Sequence, residues 1–449
     1  MKNYTFRFWH YGLIITALLS GFLGYNLWLG DKRVFISGPP THGHHQIEMA
    51  CTSCHGDGFS DASVMQNACE SCHLEALNKF SDTHPKSKFT DPRNAELLSH
   101  LDATQCVSCH REHKPEITRA YGVTLAKDFC AHCHQDIAEE RDSHKEFGFE
   151  TCTNSGCHNY HDNTALYENF LRKHANEPAL NKKPKIPALT GLVEWNKKNK
   201  QTPPLQLQDA DAPAAYKDEN IVNQWALSHH ATANVNCSQC HAQNDNWQIT
   251  STALTIDSCI ECHIKQNESF KEGKHGMRLA DKLSKKLSPM SPALATLPMH
   301  QDAMSQINTC VSCHDPHQPD LTFAAADACL GCHQDEHSTN FYSSKHGQLW
   351  RDSQNGLLPA EQAVSCATCH MPRLKKGKKV HAEHNQNANL QPNSKMIRSV
   401  CSNCHGVEFT LEALASDEQI QSNFSNSLEG HHSSMDLVRD RIEQRKKKQ

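Results

Sequence analysis

Thiols and imidazoles dominate the chemistry open to this chain, which holds 22 cysteines and 33 histidines among 449 residues. The cysteines come in pairs, and a histidine follows each pair directly. The pattern C-x-x-C-H occurs ten times. The first five copies are Cys51/Cys54/His55, Cys69/Cys72/His73, Cys106/Cys109/His110, Cys130/Cys133/His134 and Cys237/Cys240/His241. The other five are Cys259/Cys262/His263, Cys310/Cys313/His314, Cys329/Cys332/His333, Cys366/Cys369/His370 and Cys401/Cys404/His405. A stretched copy, Cys152-Thr-Asn-Ser-Gly-Cys157-His158, makes an eleventh, and no cysteine is left over.

Two thiols at this spacing can add to the vinyl groups on one edge of a haem, and the next histidine then supplies the proximal nitrogen to its iron. Chance at this composition gives about 0.08 copies of the motif. Paired cysteines also build tetrahedral zinc sites or dithiol redox pairs, but neither requires a histidine after every second cysteine. At Cys152 and Cys157 a local disulfide would equally satisfy the thiols; the following His158 and the register of the other motifs favour haem. The expected cofactor is covalently bound haem c, eleven per chain.

Eleven histidines are thereby proximal and 22 remain. A second imidazole on the far face makes an iron six-coordinate and low-spin, which suits electron transfer. Candidates for that role are His84, His100, His113, His144, His174, His230, His275, His300, His317, His346 and His384. His113 and His317 each lie three residues beyond a proximal histidine, too close to serve the same iron, so each is expected to serve a neighbour. The clusters His42/His44/His45, His229/His230, His381/His384 and His431/His432 are each expected to give one or two ligands. The plainer reading of any one of these is a solvated polar side chain.

The elements that position these groups are duplicated. Cys106-Val-Ser-Cys-His-Arg-Glu-His113-Lys-Pro115 matches Cys310-Val-Ser-Cys-His-Asp-Pro-His317-Gln-Pro319, and Cys-x-x-Cys-His-Gln-Asp follows each, at 130–136 and 329–335. A lone histidine comes next (His144, His346), then a further motif (Cys152, Cys366). The map expected is an anchor at 1–33, a five-haem unit at 34–175, a proline-rich linker at 176–222, a six-haem unit at 223–432 and a basic tail at 433–449. Prolines in the linker block regular structure, with Trp195 and Trp225 expected to pin its ends. Short helices are expected at 67–80, 125–140, 165–175, 258–272 and 325–333, and no strand pattern is evident. The fold class expected is mainly α with extensive irregular structure, a haem-packed fold in two pseudo-repeated units. A chain with 37% hydrophobic residues and 7% aromatics has trouble filling a core unaided, and the macrocycles are expected to fill it.

Phe8 to Leu29 is a 22-residue stretch without a formally charged residue, long enough to span a bilayer, with aromatics at both ends. A cleaved signal peptide has a shorter apolar region and a small-x-small site. The reading is an uncleaved anchor in the inner (cytoplasmic) membrane, with the haem-bearing part in the periplasm, because covalent haem attachment in bacteria takes place outside that membrane. The formal charge is -5, and lysines and arginines are scattered rather than striped, so no nucleic-acid partner is expected. The tail from Ser433 looks helical and basic, either a frayed solvated end or a contact for anionic lipid or an acidic partner.

The C-x-x-C-H-x-x-H-x-P units resemble cytochrome c3-type multihaem proteins, and the five-plus-five arrangement is similar to periplasmic pentahaem and decahaem electron carriers. The resemblance spans residues 42–432 on short motifs. It implies bis-histidine haems in a chain, taking electrons from a quinol-oxidising membrane module to a terminal reductase or outer cytochrome. Ser344-Lys-His346-Gly and Cys366-Ala-Thr-Cys-His-Met-Pro372 resemble the octahaem hydroxylamine oxidoreductase group, enzymes with an open iron. The chain departs from that group in having no tyrosine after Tyr342, and it has no C-x-x-C-Lys site. The alternative reading is a multihaem oxidoreductase with one open haem acting on a small nitrogen or sulfur compound.

Overall fold

The computed structural model describes the chain apart from residue 1 and residues 57–61, 79–83, 85–88, 142–143, 146–147, 150–151, 153–159, 162–167, 189–197, 199–202, 244–245, 248–255, 378, 391–392 and 449. Cys157, His158 and Trp195 lie outside the described residues.

The architecture is mainly α, in short helices joined by irregular chain. The longest helix, Lys2–Trp28, contains the apolar span Phe8–Trp28 and leaves its side chains almost wholly exposed: Phe8, Trp9 and Trp28 keep 74–80% of their surface. By length and composition this helix could cross a membrane.

Elsewhere helices form where a motif or a cap starts them. The second motif lies inside the Ala62–Asn78 helix. The expected 125–140 helix is two single turns, Ala131–His134 and Ile137–Glu140, split around Asp136. The 258–272 helix is likewise broken, into Asp257–Ile260 and Ile264–Glu272, with Cys262 and His263 at the break. Helices Glu168–His174 and Asp327–Leu330 stand where the sequence places them. Two small antiparallel hairpins were not expected: Ala242–Gln243 with Asn246–Trp247, and Arg373–Lys376 with Lys379–Ala382. Strands of two to four residues are too short for an alternating pattern to show.

Apolar packing is concentrated late in the chain. The largest cluster joins Leu171 and Ala175 to Met396, Ile397, Val400, Val407, Leu411, Leu414, Met435 and Val438. A second groups Ala325, Ala326, Phe341, Trp350 and Ala363, and a third Val222, Trp225 and Ala231. The tail is therefore not a frayed end: the Ser433–Lys448 helix buries Met435 and Val438, and Arg439 pairs with Glu408. Among the described residues from 51 to 170, no apolar side chain is buried.

The segment after residue 176 is extended and clasps the last motif. Asn181 N–H donates to the Cys404 carbonyl (2.7 Å), Lys185 N–H to Asn403, and Ile186 N–H to Glu361 (2.6 Å). The beginning of the first unit meets a loop of the second. Thr52 and Ser53, inside the first motif, bond Ser284, and Arg278 donates to the Gln46 carbonyl.

Candidate haem sites

The short helices make a platform for each motif. In four copies a helix spans both cysteines, two of them ending on the histidine, as in Cys237–His241 and Cys366–His370. Both of these turns carry a capping box, from Asn236 with Gln239 and from Ser365 with Thr368. Caps matter because a helix this short cannot sustain itself.

The expected attachment thiols are not equally sheltered. Cys54, Cys72 and Cys262 are exposed, whereas the other described cysteines are partly covered by the chain. The Asp257–Ile260 helix ends before Cys262, which lies in the turn and is exposed, while Cys259 is half-buried. Cys262 still lies within electrostatic reach of Cys240 in the preceding motif.

Every described motif histidine faces a second histidine. In the first half the pairs are His55–His113 (6.4 Å between ring centroids), His73–His44 (5.9 Å), His110–His161 (6.3 Å) and His134–His84 (6.0 Å). In the second half they are His241–His317 (5.8 Å), His263–His230 (6.4 Å), His314–His384 (6.4 Å), His333–His275 (6.2 Å), His370–His337 (6.0 Å) and His405–His346 (6.2 Å). Two metal–imidazole bonds of about 2 Å, plus about 1 Å from each nitrogen to its ring centre, put the centroids about 6 Å apart across one metal atom. All ten separations fit that span.

Tautomers fit as well. Nδ1 of His84, His110, His113, His230, His384 and His405 each donates to a main-chain carbonyl, of Tyr160, Gly122, Gly38, Pro316, Ala382 and Ala179 respectively, at 2.7–3.1 Å. His337 does the same toward Ile420. A carbonyl can only accept, so the proton sits on Nδ1 and the Nε2 lone pair is left for a metal. His44 differs: its Nδ1 donates to the Glu112 carboxylate at 2.6 Å. Burial opposes the Glu112 charge, but hydrogen bonds from His44 and from the N–H and hydroxyl of Thr41 hold its carboxyl down at about 2. Burial is the main cause that pushes His275, His346, His370 and His73 down to about 4, so these rings are neutral, ligand-ready imidazoles at pH 7.

Local sequence explains how the deeply buried partners are presented. Ser344 caps the Lys345–Gln354 helix by accepting from Gly347 N–H, which puts His346 in the first turn. A Cβ on Gly347 would overlap the Phe341 carbonyl, and one on Gly276 would overlap that of Phe270, so glycine lets the chain beside His346 and His275 approach its neighbours.

Of the expected second ligands, His84, His113, His230, His275, His317, His346 and His384 face a motif histidine. His100, His144, His174 and His300 are not among the ten partners. His100 ends the Ala95–His100 helix, the His144 N–H donates to Arg141, and the His300 N–H donates to Cys332. His174 turns Nδ1 to Glu177 and packs on Phe170. The other three partners are His44, expected only as one of a cluster, and His161 and His337, which were missed. His161 follows His158 by three residues, the same offset that singles out His113 and His317, and His337 follows His333 by four.

Successive sites touch. Thiols of neighbouring motifs lie within electrostatic reach at Cys69–Cys106, Cys130–Cys152, Cys259–Cys310 and Cys329–Cys366. Cys54 lies within electrostatic reach of Cys72, Cys240 of Cys259 and Cys262, Cys313 of Cys329, and Cys369 of Cys404. Tyr160 bridges the third and fourth sites, stacked on His84 at 4.3 Å and edge-on to His161 at 4.9 Å. Phe424 lies edge-on to both His337 (6.2 Å) and His346 (6.1 Å). Each half thus lines up its sites in chain order.

The cytochrome c3 family model matches residues 43–135 and 229–334, one region in each half. Both matched regions are consistent with a multihaem c-type cytochrome of c3 type. No curated protein and no solved structure matches the chain. The family carries covalently bound haem c and transfers electrons, and the paired thiols and facing imidazoles suit that group. Bound there, haem c supplies a one-electron ferric–ferrous couple. Of the chain's own residues, the paired thiols would attach the group and the facing imidazoles would stand on either side of the ring.

Proposed function

We propose that this cytochrome is a membrane-anchored periplasmic relay carrying eleven haems, which takes electrons from a quinol-oxidising module at the inner membrane and hands them to a terminal reductase or outer cytochrome. The observation that carries the reading is the facing of all ten described motif histidines by a second imidazole. With both axial positions held by the chain, those sites offer no open coordination position to a substrate, which favours a carrier over a reductase of nitrogen or sulfur compounds. The motif histidines serve as proximal ligands and their ten partners as second ligands. The Cys152 thiol, in contact with Cys130 as Cys366 is with Cys329, supports an eleventh site in the same series. The exposed apolar Phe8–Trp28 span supports the anchor.

Nitrite, hydroxylamine and sulfite, added in turn to the oxidised protein, test the carrier reading by paramagnetic resonance. The expected spectrum is low-spin and unchanged by all three. A high-spin signal that responds to any of them would overturn the proposal.

A further inference from the structure

The two halves offer the same slot to the second ligand of their second motif and fill it differently. In the first half His44 faces His73, and in the second His230 faces His263. The partner of each Nδ1 comes from the residue just before the H-x-x-H histidine of the third motif. In Cys106-Val-Ser-Cys-His-Arg-Glu112-His113 it is the Glu112 carboxylate, at 2.6 Å. In Cys310-Val-Ser-Cys-His-Asp-Pro316-His317 it is the Pro316 main-chain carbonyl, at 3.0 Å. Proline has no side-chain acceptor, so the second half substitutes a neutral dipole for a full charge.

Glu112 is built into its place. One oxygen accepts from His44 Nδ1 and the Thr41 hydroxyl, and the other from the Thr41 N–H, all at 2.6–2.9 Å. Its side chain is about one-third exposed. The nearest analogue is Asp335, which approaches His333 Nδ1 only to 3.6 Å, outside hydrogen-bond range.

A carboxylate accepting from Nδ1–H draws the proton toward itself and makes the ring a stronger donor at Nε2. A stronger donor and a nearby negative charge both favour the ferric state over the ferrous. We propose that Glu112 is a positioning and tuning residue that sets the site of His44 and His73 to a lower reduction potential than its counterpart at His230 and His263. One electron is involved: the iron gains it on reduction, no atom is transferred, and a chemical titrant such as dithionite supplies it. Low-potential and higher-potential sites then occupy equivalent places in the two halves, which gives the relay a direction that its duplicated geometry lacks.

The inference rests on His44 and His73 being iron ligands, and the experiment separates the two claims. Full-length holoprotein is titrated with dithionite and followed by paramagnetic resonance, in wild type, His44→Ala, Glu112→Gln and Pro316→Glu. His44→Ala identifies the site by converting one low-spin signal to high-spin; if no signal is lost, the ligand reading fails. Glu112→Gln keeps the shape and an acceptor oxygen but removes the charge. It is expected to keep the full haem count and to raise the potential of that same signal alone, by about a tenfold change in its ferric-to-ferrous ratio, about 59 mV. Pro316→Glu is expected to lower the potential of one second-half signal. If the signal lost in His44→Ala keeps its wild-type potential in Glu112→Gln, the tuning role is overturned.

Discussion

The two halves of this chain set imidazole against imidazole on one plan but are not supported alike. Four pairs correspond one to one: His55–His113 with His241–His317, His73–His44 with His263–His230, His110–His161 with His314–His384, and His134–His84 with His333–His275. Yet the second half gathers buried apolar side chains around Phe341, Trp350, Trp225 and Ile397, whereas the first contributes only Ala50, Leu171 and Ala175 among its described residues, the last two to the cluster around Ile397. One set of ligand positions is thus built over two kinds of interior. Bound haem would supply most of the core of the first half. The second could lose one and still have buried hydrocarbon to hold it.

The sharpest way to break this comparison is to remove the same motif from each half. Replacing Cys106 and Cys109 with alanine is expected to cost the first half more than one haem, because nothing else fills the space. The matching Cys310 and Cys313 replacement is expected to cost one. Pyridine haemochrome analysis against protein mass measures both, and equal losses would show that the apolar clusters do not matter. Next in size come His113→Ala and His317→Ala. Each is expected to convert one low-spin haem to high-spin, the one attached beside His55 or His241 rather than the one on its own motif; quantitative paramagnetic resonance gives the count.

A smaller effect is expected at Gly347→Ala. The added methyl meets the Phe341 carbonyl, and overpacking of this kind costs about 1–3 kcal/mol, read as a lowered thermal midpoint. The first half has no equivalent glycine, since Lys145 and Glu146 follow His144 there. Smallest is Ser344→Ala, which removes an N-cap and is expected to cost about 1 kcal/mol in the same melt.

The attachment motifs were legible because their spacing is dictated by the cofactor's edge, a rigid object that imposes a short local pattern. How each thiol is sheltered was not: Cys259 and Cys262 read alike in sequence, and only the turn between two helices separates them. His113 and His317 were legible because an offset of three residues forbids the same iron. The rule was general, and applied to His158 it would have led to His161. His44 was harder to single out, because nothing local distinguishes it from His42 and His45; only Glu112, 68 residues away, does. His174 stands alone in sequence, and in the structure its Nδ1 turns to Glu177, three residues on. The tail read as a solvated end because its basic residues outnumber Met435 and Val438, yet those two decide where the helix lies. The order of the sites in space rests on thiol contacts between motifs, which no local pattern encodes.

The central claim is that each described motif histidine shares its iron with the imidazole it faces. Near-infrared magnetic circular dichroism of the oxidised protein measures axial ligation directly, because the charge-transfer band of low-spin ferric haem depends on the ligand pair. A bis-histidine band whose intensity corresponds to at least ten haems per chain is expected. A high-spin band, or an intensity short of ten, would contradict it.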